Sequence, residues 1–309
     1  MDREVKAFAP ATVSNVGCGF DALGFAVEQP GDTVVARERA EGIVIAEITG
    51  DDGRLPKAVD RNTAGVAVAT LLGTLDCHRG VELEVHKGLP LGSGLGSSAA
   101  SGVAALCAVD RLFDLGASRE LMLRCAMEAE WVACGSAHPD NAAPSLWGGF
   151  VLIRRDTEPE VISLPVPEGL ACAVVRPHVE VETRAARELL GDTVPLPDAV
   201  VQWSNLGGLV SALFREDLEL LSRCLVDVVA EPKRATLVPG FHLAQKAGRD
   251  AGALGAGLSG SGPSIFALCT DLATAEGVAD AMVEALHTTG VRVDRTVSPV
   301  GTRGAHVVE

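Results

Sequence analysis

Residues 89–100 read LPLGSGLGSSAA, and this stretch constrains the fold more than any other part of the chain. It lies between a strand-like run, GVELEVHK, and a helix-like run, SGVAALCAVDRLF. Its three glycines permit backbone angles that other residues avoid, so successive amides can turn inward as an anion-binding nest. The following helix adds unsatisfied N–H groups and the positive end of its dipole. The pattern predicts a phosphate-binding loop, with a plain serine-capped turn as the alternative.

Two common nucleotide-binding motifs do not fit this stretch. No lysine follows the last glycine, which excludes a Walker A loop. The spacing GSGLG differs from GxGxxG, and no acidic residue ends a second strand about 20 residues further on. If the loop binds phosphate, it therefore belongs to another class of phosphate site.

Composition narrows the partners of this 309-residue chain. The 26 basic residues are outnumbered by 41 acidic ones, a net charge of −15 that disfavours a nucleic-acid partner but allows a small anionic substrate in a basic pocket. No apolar run is long enough for a membrane span, and none of the eight cysteines forms a CxxC pair. We therefore expect a cytoplasmic protein that binds neither nucleic acid nor membrane.

Strand-like and helix-like runs mix without regular alternation, which predicts the α+β class. Residues 155–168 carry three prolines and four acids, so they form either a domain junction or a surface hairpin. We predict domains over 1–157 and 158–309. The predicted strands are EVKAFA, DTVVARE, GIVIAEI, VELEVHK, GGFVLIRR, 170–176, 263–269 and 291–298, and the predicted helices cover 62–75, 97–113, 118–134, 182–190, 199–213, 216–229, 238–250 and 272–287.

Three further stretches accompany the glycine loop: PATVSNVGCGFDALG at 10–24, HPDNAAPSLWGG at 138–149 and GLSGSGPSIFAL at 257–268. With LPLGSGLGSSAA they resemble the GHMP kinases, whose P-x-A motif, P-x-G-x-G-L-G-S-S-A loop and G-S-G-P loop occur here in the same order. NVGCGFDALG, HPDNAAP and AEPKR are similar to the homoserine kinase family in particular. Cys18 departs from the proline common in that family and should affect loop stiffness more than chemistry.

The resemblance implies a two-domain GHMP-kinase-like fold, with an N-terminal nucleotide-binding α+β domain and a C-terminal ferredoxin-like α+β domain. It implies ATP and Mg²⁺, with Ser98 and Glu130 as the metal ligands; a solvated surface acid is the alternative for Glu130. Asn62 would lie near adenine or simply cap its helix. The triphosphate would be wrapped by Pro90, Leu91, Gly92, Ser93, Gly94, Leu95, Gly96, Ser97, Ser98, Ala99 and Ala100.

The same resemblance implies L-homoserine as the substrate and O-phospho-L-homoserine as the product, a step in threonine biosynthesis. Asp21 suits the ammonium group, and His138 would contact the substrate. Arg187 and Arg234 would clamp the carboxylate, because a guanidinium binds a carboxylate through two parallel hydrogen bonds. For each arginine the alternative is a surface salt bridge.

Catalytic roles in this scheme fall to Asn15, Asn141 and Arg187. Asparagine cannot take a proton, so we expect the two asparagines to orient the hydroxyl while positioning and charge neutralisation drive phosphoryl transfer. Asp140 is either a base or a structural acceptor, and direct transfer of the proton to phosphate stays open.

Two other functions fit the same fold. Another small-alcohol kinase of the superfamily would be expected to carry a lysine near position 12, where this chain has threonine. A non-catalytic nucleotide or amino-acid sensor would be expected to lose the metal carboxylate first. The sequence leaves the oligomeric state open, with a homodimer as one candidate, and it shows neither threonine feedback nor the tolerance for other alcohols.

Overall fold

The computed structural model describes residues 3–155 and 158–308, apart from the side chains at 133, 134 and 155. The strands are β1 (Glu4–Ser14), β2 (Leu23–Arg39), β3 (Ile43–Thr49), β4 (Gly80–His86), β5 (Phe150–Arg155), β6 (Pro159–Leu164), β7 (Ala171–Pro177), β8 (Gly255–Leu258), β9 (Ile265–Cys269), β10 (Val293–Pro299) and β11 (His306–Val308). The helices are α1 (Thr63–Thr74), α2 (Ser97–Phe113), α3 (Arg119–Cys134), α4 (Pro139–Trp147), α5 (Thr183–Glu188), α6 (Leu196–Arg215), α7 (Leu218–Cys224), α8 (Glu231–Arg234), α9 (Phe241–Asp250) and α10 (Leu272–His287).

The first sheet has seven strands, with β11-β1-β2-β4-β3 in order and the β5–β6 hairpin attached to β2. The long strand β2 pairs with β1 along one edge and with two strands along the other. Residues 23–25 pair with β5, and residues 33–39 pair with β4. β3 and β4 are parallel, and α1 forms the crossover between them, as a parallel pair requires. The glycine loop leaves the end of β4 and enters α2.

Helix α2 is buried nearly all round, since it lies among β1, β2, α1 and α3. Its sequence SSAASGVAALCAVDRLF is rich in alanine and serine, and small side chains let the neighbouring elements approach closely. Gly96 occupies the N-cap in a left-handed conformation and provides no side-chain cap. The first amides of α2 therefore remain available at the cleft side of the sheet.

The second sheet is antiparallel, with the order β10-β7-β9-β8. Counted along the chain this is the 4-1-3-2 order of a ferredoxin-like unit, with α9 and α10 packed on one face. The other face joins the core of the first sheet, where Phe266 contacts Phe25 edge-on at 6.3 Å between ring centroids. The two sheets thus share apolar core, and the loops at their ends meet.

The α+β class is confirmed, and most predicted strands and helices occur within a few residues of their expected bounds. The exceptions among the strands are β2, which begins at Leu23, well before the predicted strand DTVVARE, and β6, β8 and β11, which were not predicted. Residues 155–168 contain β6, so the hairpin interpretation is the one observed. The predicted boundary at 157/158 touches residue 157, which lies outside the described residues, and β6 and β11 belong to the first sheet. The division into domains 1–157 and 158–309 stays a prediction.

Two helices differ from the sequence prediction. α4 was not predicted as a helix, because Pro139 and Pro144 interrupt its pattern. The helix expected over 216–229 ends at Cys224, since the Asp227 carboxylate accepts hydrogen bonds from the amides of three following residues and replaces helical bonds. Within the described ranges, no helix combines the length and apolar character that a membrane crossing needs.

Candidate active site

A cleft of about 630 Å³ opens where the glycine loop faces the loops of the second sheet. It brings together most residues predicted for the site, although they come from distant parts of the chain. The predicted residues that line it are Asn15, Asp21, Asn62, Leu91, Gly92, Ser93, Gly94, Gly96, Ser97, Ser98, Glu130, His138, Asn141 and Arg234. Pro90, Leu95, Ala99, Ala100 and Arg187 are not among its lining residues.

The glycines of the loop are required by close backbone approach. Gly94 has φ +74°, and a Cβ there would lie 2.6 Å from the carbonyl oxygens of Ser259 and Gly262. A Cβ on Gly96 would lie 2.4 Å from Thr12 Oγ1. The loop therefore packs backbone against backbone on the SGSGP loop, and Ser259 Oγ donates to the Gly94 carbonyl at 2.7 Å.

Glu130 presents a buried carboxylate beside this loop, with only 3% of the residue exposed. Ser98 Oγ donates to its Oε1 at 2.7 Å, and the His138 amide donates to its Oε2 at 3.0 Å. Burial raises the pKa of the Glu130 carboxyl above its usual range. Glu130 is therefore not a solvated surface acid, and that alternative is wrong. The neighbouring oxygens of its carboxylate and of the Ser98 hydroxyl are ligands that a hard cation such as Mg²⁺ prefers.

The loop after β1 is held in shape by Asn15. Asn15 and Asp21 both adopt left-handed φ values, +69° and +55°, which asparagine and aspartate tolerate better than most residues. Asn15 Oδ1 accepts from the Asp21 amide at 3.0 Å, and Asn15 Nδ2 donates to the Gly260 carbonyl at 2.7 Å. Asn15 therefore links the substrate-side loop to the SGSGP loop.

Asp21 lies in a small acidic cluster. Its carboxylate pairs with Arg187 at 2.7 Å, and this hydrogen bond raises the pKa of the Arg187 guanidinium. Potential ligand atoms of Asp21, His138 and Asp140 lie within 4.8 Å of one another. Because nearly half of the Arg187 side chain is exposed, the Asp21–Arg187 pair contributes little stability.

Arg234 is a buried cation, with 4% of the residue exposed. Its guanidinium donates to the carbonyls of Gly260 at 3.0 Å and Ala186 at 3.3 Å, and within the described ranges no carboxylate lies within 4.0 Å of it. Burial lowers the pKa of Arg234. The guanidinium carbons of Arg187 and Arg234 lie 5.2 and 5.1 Å from the Phe20 ring centroid, so both cations lie against the same aromatic ring, although Arg234 lines the cleft and Arg187 does not.

Two asparagines have defined partners. Asn141, in the first turn of α4, accepts a hydrogen bond from Thr12 Oγ1 at 2.9 Å through its Oδ1. The Asn62 side chain accepts a hydrogen bond from the Ala64 amide at 3.0 Å and donates one to the Pro56 carbonyl. It therefore caps α1, which was one of the two roles predicted for it. It also lines the cleft, which keeps an adenine contact open.

Sequence reasoning missed several polar residues of this region. Ser14 and Ser261 line the cleft, and Lys87 lines it beneath the glycine loop. Lys87 forms a buried ion pair with Asp32. The sequence gives one indication for Lys87, its position five residues before the first glycine of the loop. Nothing in the sequence near Asp32 indicates that Asp32 pairs with Lys87.

Two protein-family models match segments of the chain that contribute residues to this cleft. The GHMP kinases N terminal domain matches residues 62–149, which contain the glycine loop and Glu130, and the GHMP kinases C terminal model matches residues 209–288. Leishmania major mevalonate kinase shares the fold, with a TM-score of 0.75 at 16% identity over 97% of this chain and 98% of that one. These similarities define the class as GHMP kinases.

Closer relatives narrow the class. A homoserine kinase of Chlorobium phaeobacteroides is 46% identical over 99% of this chain and its own full length, and one of Xylella fastidiosa is 42% identical over 99% of this chain and 94% of its own. The crystal structure of homoserine kinase from Cytophaga hutchinsonii superposes with a TM-score of 0.96 at 48% identity, covering 99% of this chain and 97% of that one. The chain belongs to the homoserine kinase family.

Replacing Glu130 by glutamine should stabilise the free protein progressively as the pH rises. The folded pKa of the Glu130 carboxyl is raised, so wild type loses stability as pH rises from the unfolded value of about 4.3 through the folded one. Glu130→Gln lacks this loss, and its amide can still accept from the His138 amide while donating to the Ser98 hydroxyl. Urea unfolding in EDTA between about pH 4 and 8 measures the difference. A pH-independent difference would contradict a carboxylate held away from water.

Proposed function

We propose that this chain transfers the γ-phosphoryl group of ATP to the hydroxyl of L-homoserine, giving O-phospho-L-homoserine and ADP. Two comparisons support the reaction: the family models name kinases, and the full-length relatives are named homoserine kinases. The observation that carries the substrate assignment is Arg234, a buried cation without an acidic partner among the described residues. Such a cation favours an anionic ligand group, and homoserine has a carboxylate.

The charged ends of homoserine match the two ends of the substrate region. Arg234 and Arg187 would bind the carboxylate, and Asp21 would bind the ammonium group. In the free protein Asp21 and Arg187 neutralise each other. Bound homoserine would replace that pair with two others, in which its ammonium group meets Asp21 and its carboxylate meets the two arginines. Each charged group of the substrate then has a partner of opposite charge. Asp140 and His138 lie close enough to Asp21 to complete the ammonium site.

The reacting hydroxyl would be oriented by asparagine. Because Thr12 donates to Asn141 Oδ1, the amide nitrogen of Asn141 remains the group that can donate to the substrate oxygen. Asn15 has both amide ends in protein hydrogen bonds, so its contribution is to hold Asp21 and Gly260 in place while its remaining N–H reaches toward the substrate. Positioning of this kind suits a loose phosphoryl-transfer transition state, which needs little help from a base. We therefore assign Asp140 a structural role.

The nucleotide would lie along the glycine loop. The amides of residues 90–100 and the N-terminus of α2 would bind the phosphate oxygens, and Asn62 would lie beside adenine. Ser98 and Glu130 would hold Mg²⁺, which supplies charge neutralisation on the β- and γ-phosphates. The product places the reaction in threonine biosynthesis. A cytoplasmic location is part of the same proposal, supported by seven described cysteines that are free thiols.

Glu130→Gln should lose most of its turnover although it keeps the fold, because a neutral amide is a poor ligand for Mg²⁺. We expect kcat to fall by about 100-fold or more, the scale for removing a group that stabilises transition-state charge. A coupled ADP-release assay across a Mg²⁺ titration measures it. Glu128→Gln, two residues earlier on the same helix, is the matched control. Near-normal turnover of Glu130→Gln at low Mg²⁺ would remove Glu130 from the metal site.

Arg234→Leu should lower kcat/KM for homoserine by about one to two orders of magnitude, since a hydrogen bond to a charged group contributes roughly 1.5–3 kcal/mol. The decisive comparison is homoserine against a homoserine ester, which lacks the anionic carboxylate. Wild type should prefer the free acid strongly, and Arg234→Leu should lose most of that preference while its KM for ATP stays unchanged.

Arg223→Leu is the control, because Arg223 is exposed on α7 and its ion pair among the described residues is with Glu219 at 3.9 Å. Equal discrimination between acid and ester by wild type and Arg234→Leu would show that Arg234 does not bind the carboxylate. If wild type does not phosphorylate homoserine but phosphorylates another small alcohol, the substrate assignment is wrong and the kinase assignment still holds.

We also propose that the chain forms a homodimer through α6. This helix carries an exposed apolar stripe at helical spacing, with Leu196, Trp203 and Phe214 exposed by 69%, 55% and 65%. Near its middle the stripe has small residues, including Gly207, where a Cβ would meet nothing within 4 Å. A patch of this kind on a described surface calls for a partner.

The partner that fits α6 best is a second copy of the chain. Asp198 and Arg215 are the only charged residues in the 20-residue helix, and they lie near opposite ends. Both lie more than about 100° around the helix from Trp203, so the exposed stripe itself carries no charge. An antiparallel pairing about a twofold axis near Gly207 stacks Val200 of one copy on Phe214 of the other.

Trp203→Glu should convert the dimer to a monomer, because it places a carboxylate in the centre of the apolar contact. Light scattering after gel filtration gives the mass. Leu243→Glu is the control, since Leu243 is equally exposed, at 52%, but lies on α9. A monomeric wild type, or a dimer indifferent to Trp203→Glu, would contradict the α6 interface.

A further inference from the structure

Beneath the glycine loop lies an ion pair that the reaction scheme does not use. Lys87 and Asp32 have side-chain exposures of 1% and 0%. Taking both charges out of water is unfavourable unless other hydrogen bonds satisfy them, so the contacts of the pair indicate what it does. Burial in fact lowers the pKa of Lys87 despite the neighbouring carboxylate.

The carboxylate of Asp32 holds the start of the loop. Its Oδ1 accepts from the amides of Gly88 at 3.0 Å and Leu89 at 3.1 Å, where the chain leaves β4. Its Oδ2 accepts from Lys87 and from Ser101 Oγ, the latter at 2.7 Å. Asp32 thus fixes the backbone directly before the loop and reaches a residue in α2.

The ammonium group of Lys87 holds the end of the loop. It donates to the Ser97 carbonyl at 2.7 Å and to Ser101 Oγ at 2.8 Å, both within the first turns of α2. The next residue, Ser98, donates to Glu130. The pair therefore spans both ends of the loop and lies one residue from the hydroxyl placed beside the buried carboxylate.

We propose that Asp32, Lys87 and Ser101 form a clasp that sets the spacing of the two ends of the glycine loop and thereby positions its amides and Ser98 for the nucleotide phosphates. The three are positioning residues, because they act through the loop and not by touching the ligand. This role rests on the proposed function, since it concerns the nucleotide side of the cleft.

A rival role for Lys87 is a direct phosphate contact, because Lys87 also lines the cleft. The two roles predict opposite behaviour for Asp32. When Asp32 becomes asparagine, the clasp loses the negative charge and the Oδ2 acceptor that hold Lys87 and Ser101, because an NH2 group there cannot accept a hydrogen bond. A phosphate-binding lysine would instead be freed by the same change and would bind a polyphosphate as well or better.

The test uses Lys87→Met and Asp32→Asn in the full chain, with Lys246→Met as the control. Lys246 forms an exposed ion pair with Asp250 on α9 and lies outside the cleft-lining set. Hydrogen exchange of the ligand-free proteins should show faster exchange of the amides of residues 88–101 in both clasp variants, with β7 and β9 unchanged. Calorimetry in EDTA should show ADP binding weakened by about tenfold to a hundredfold in both, the scale for misplaced binding groups, while the control matches wild type.

Hydrogen exchange at residues 88–101 that is unchanged in both clasp variants would overturn the clasp. Faster exchange there, with an ADP affinity within twofold of wild type, would also overturn it. Weaker ADP binding by Lys87→Met together with normal binding by Asp32→Asn would establish the direct contact instead. If the two variants do not fold, Ser101→Ala decides, with faster loop exchange and weaker ADP binding in support and no change against. A wild type that binds no ADP would overturn the proposed function, and loop exchange alone would then judge the clasp.

Discussion

The contact between two glycine-rich loops, residues 92–96 and 259–263, determines the geometry of the whole cleft. One loop leaves the first sheet and the other belongs to the second, and they meet with no room for a Cβ at Gly94. A backbone hydrogen bond from the Ser264 amide to the Ser93 carbonyl joins them, and the Gly260 amide donates to the Ser14 carbonyl at the end of β1. The separation between nucleotide side and substrate side is therefore fixed by backbone, which side-chain motion cannot alter.

Two of the buried charges that line the cleft, Glu130 and Arg234, cost stability in the free protein. Glu130 faces the glycine loop and Arg234 faces the substrate loop. Each is hydrogen-bonded, and among the described residues neither forms an ion pair, so desolvation raises the pKa of Glu130 and lowers the pKa of Arg234. A cation at one and a carboxylate at the other would offset that cost. The protein, acidic overall, is thus poised for two ligands of opposite charge.

Local sequence pattern was enough for the glycine loop, the α+β class and most helices and strands, because these depend on residues close together in the chain. It was not enough for α4, whose prolines hid a helix that begins with Pro139 at a favourable first position. The ion pairs Asp32–Lys87 and Asp21–Arg187 were out of reach, since each joins segments brought together only by the sheets. For Asn15 and Asn62 the sequence indicated the site but not the hydrogen bonds that engage both ends of each amide.

Strand β11 gives the first sheet an unusual order of assembly. It pairs with β1, residue 308 opposite residue 6, so it covers an edge of the strand that leads directly into Asn15. During synthesis β1 emerges from the ribosome roughly 300 residues before the partner that covers this edge. An unpaired edge strand invites pairing with another chain. The nascent protein therefore leaves this edge of β1, close to its future active site, unpaired until residues 306–308 are synthesised.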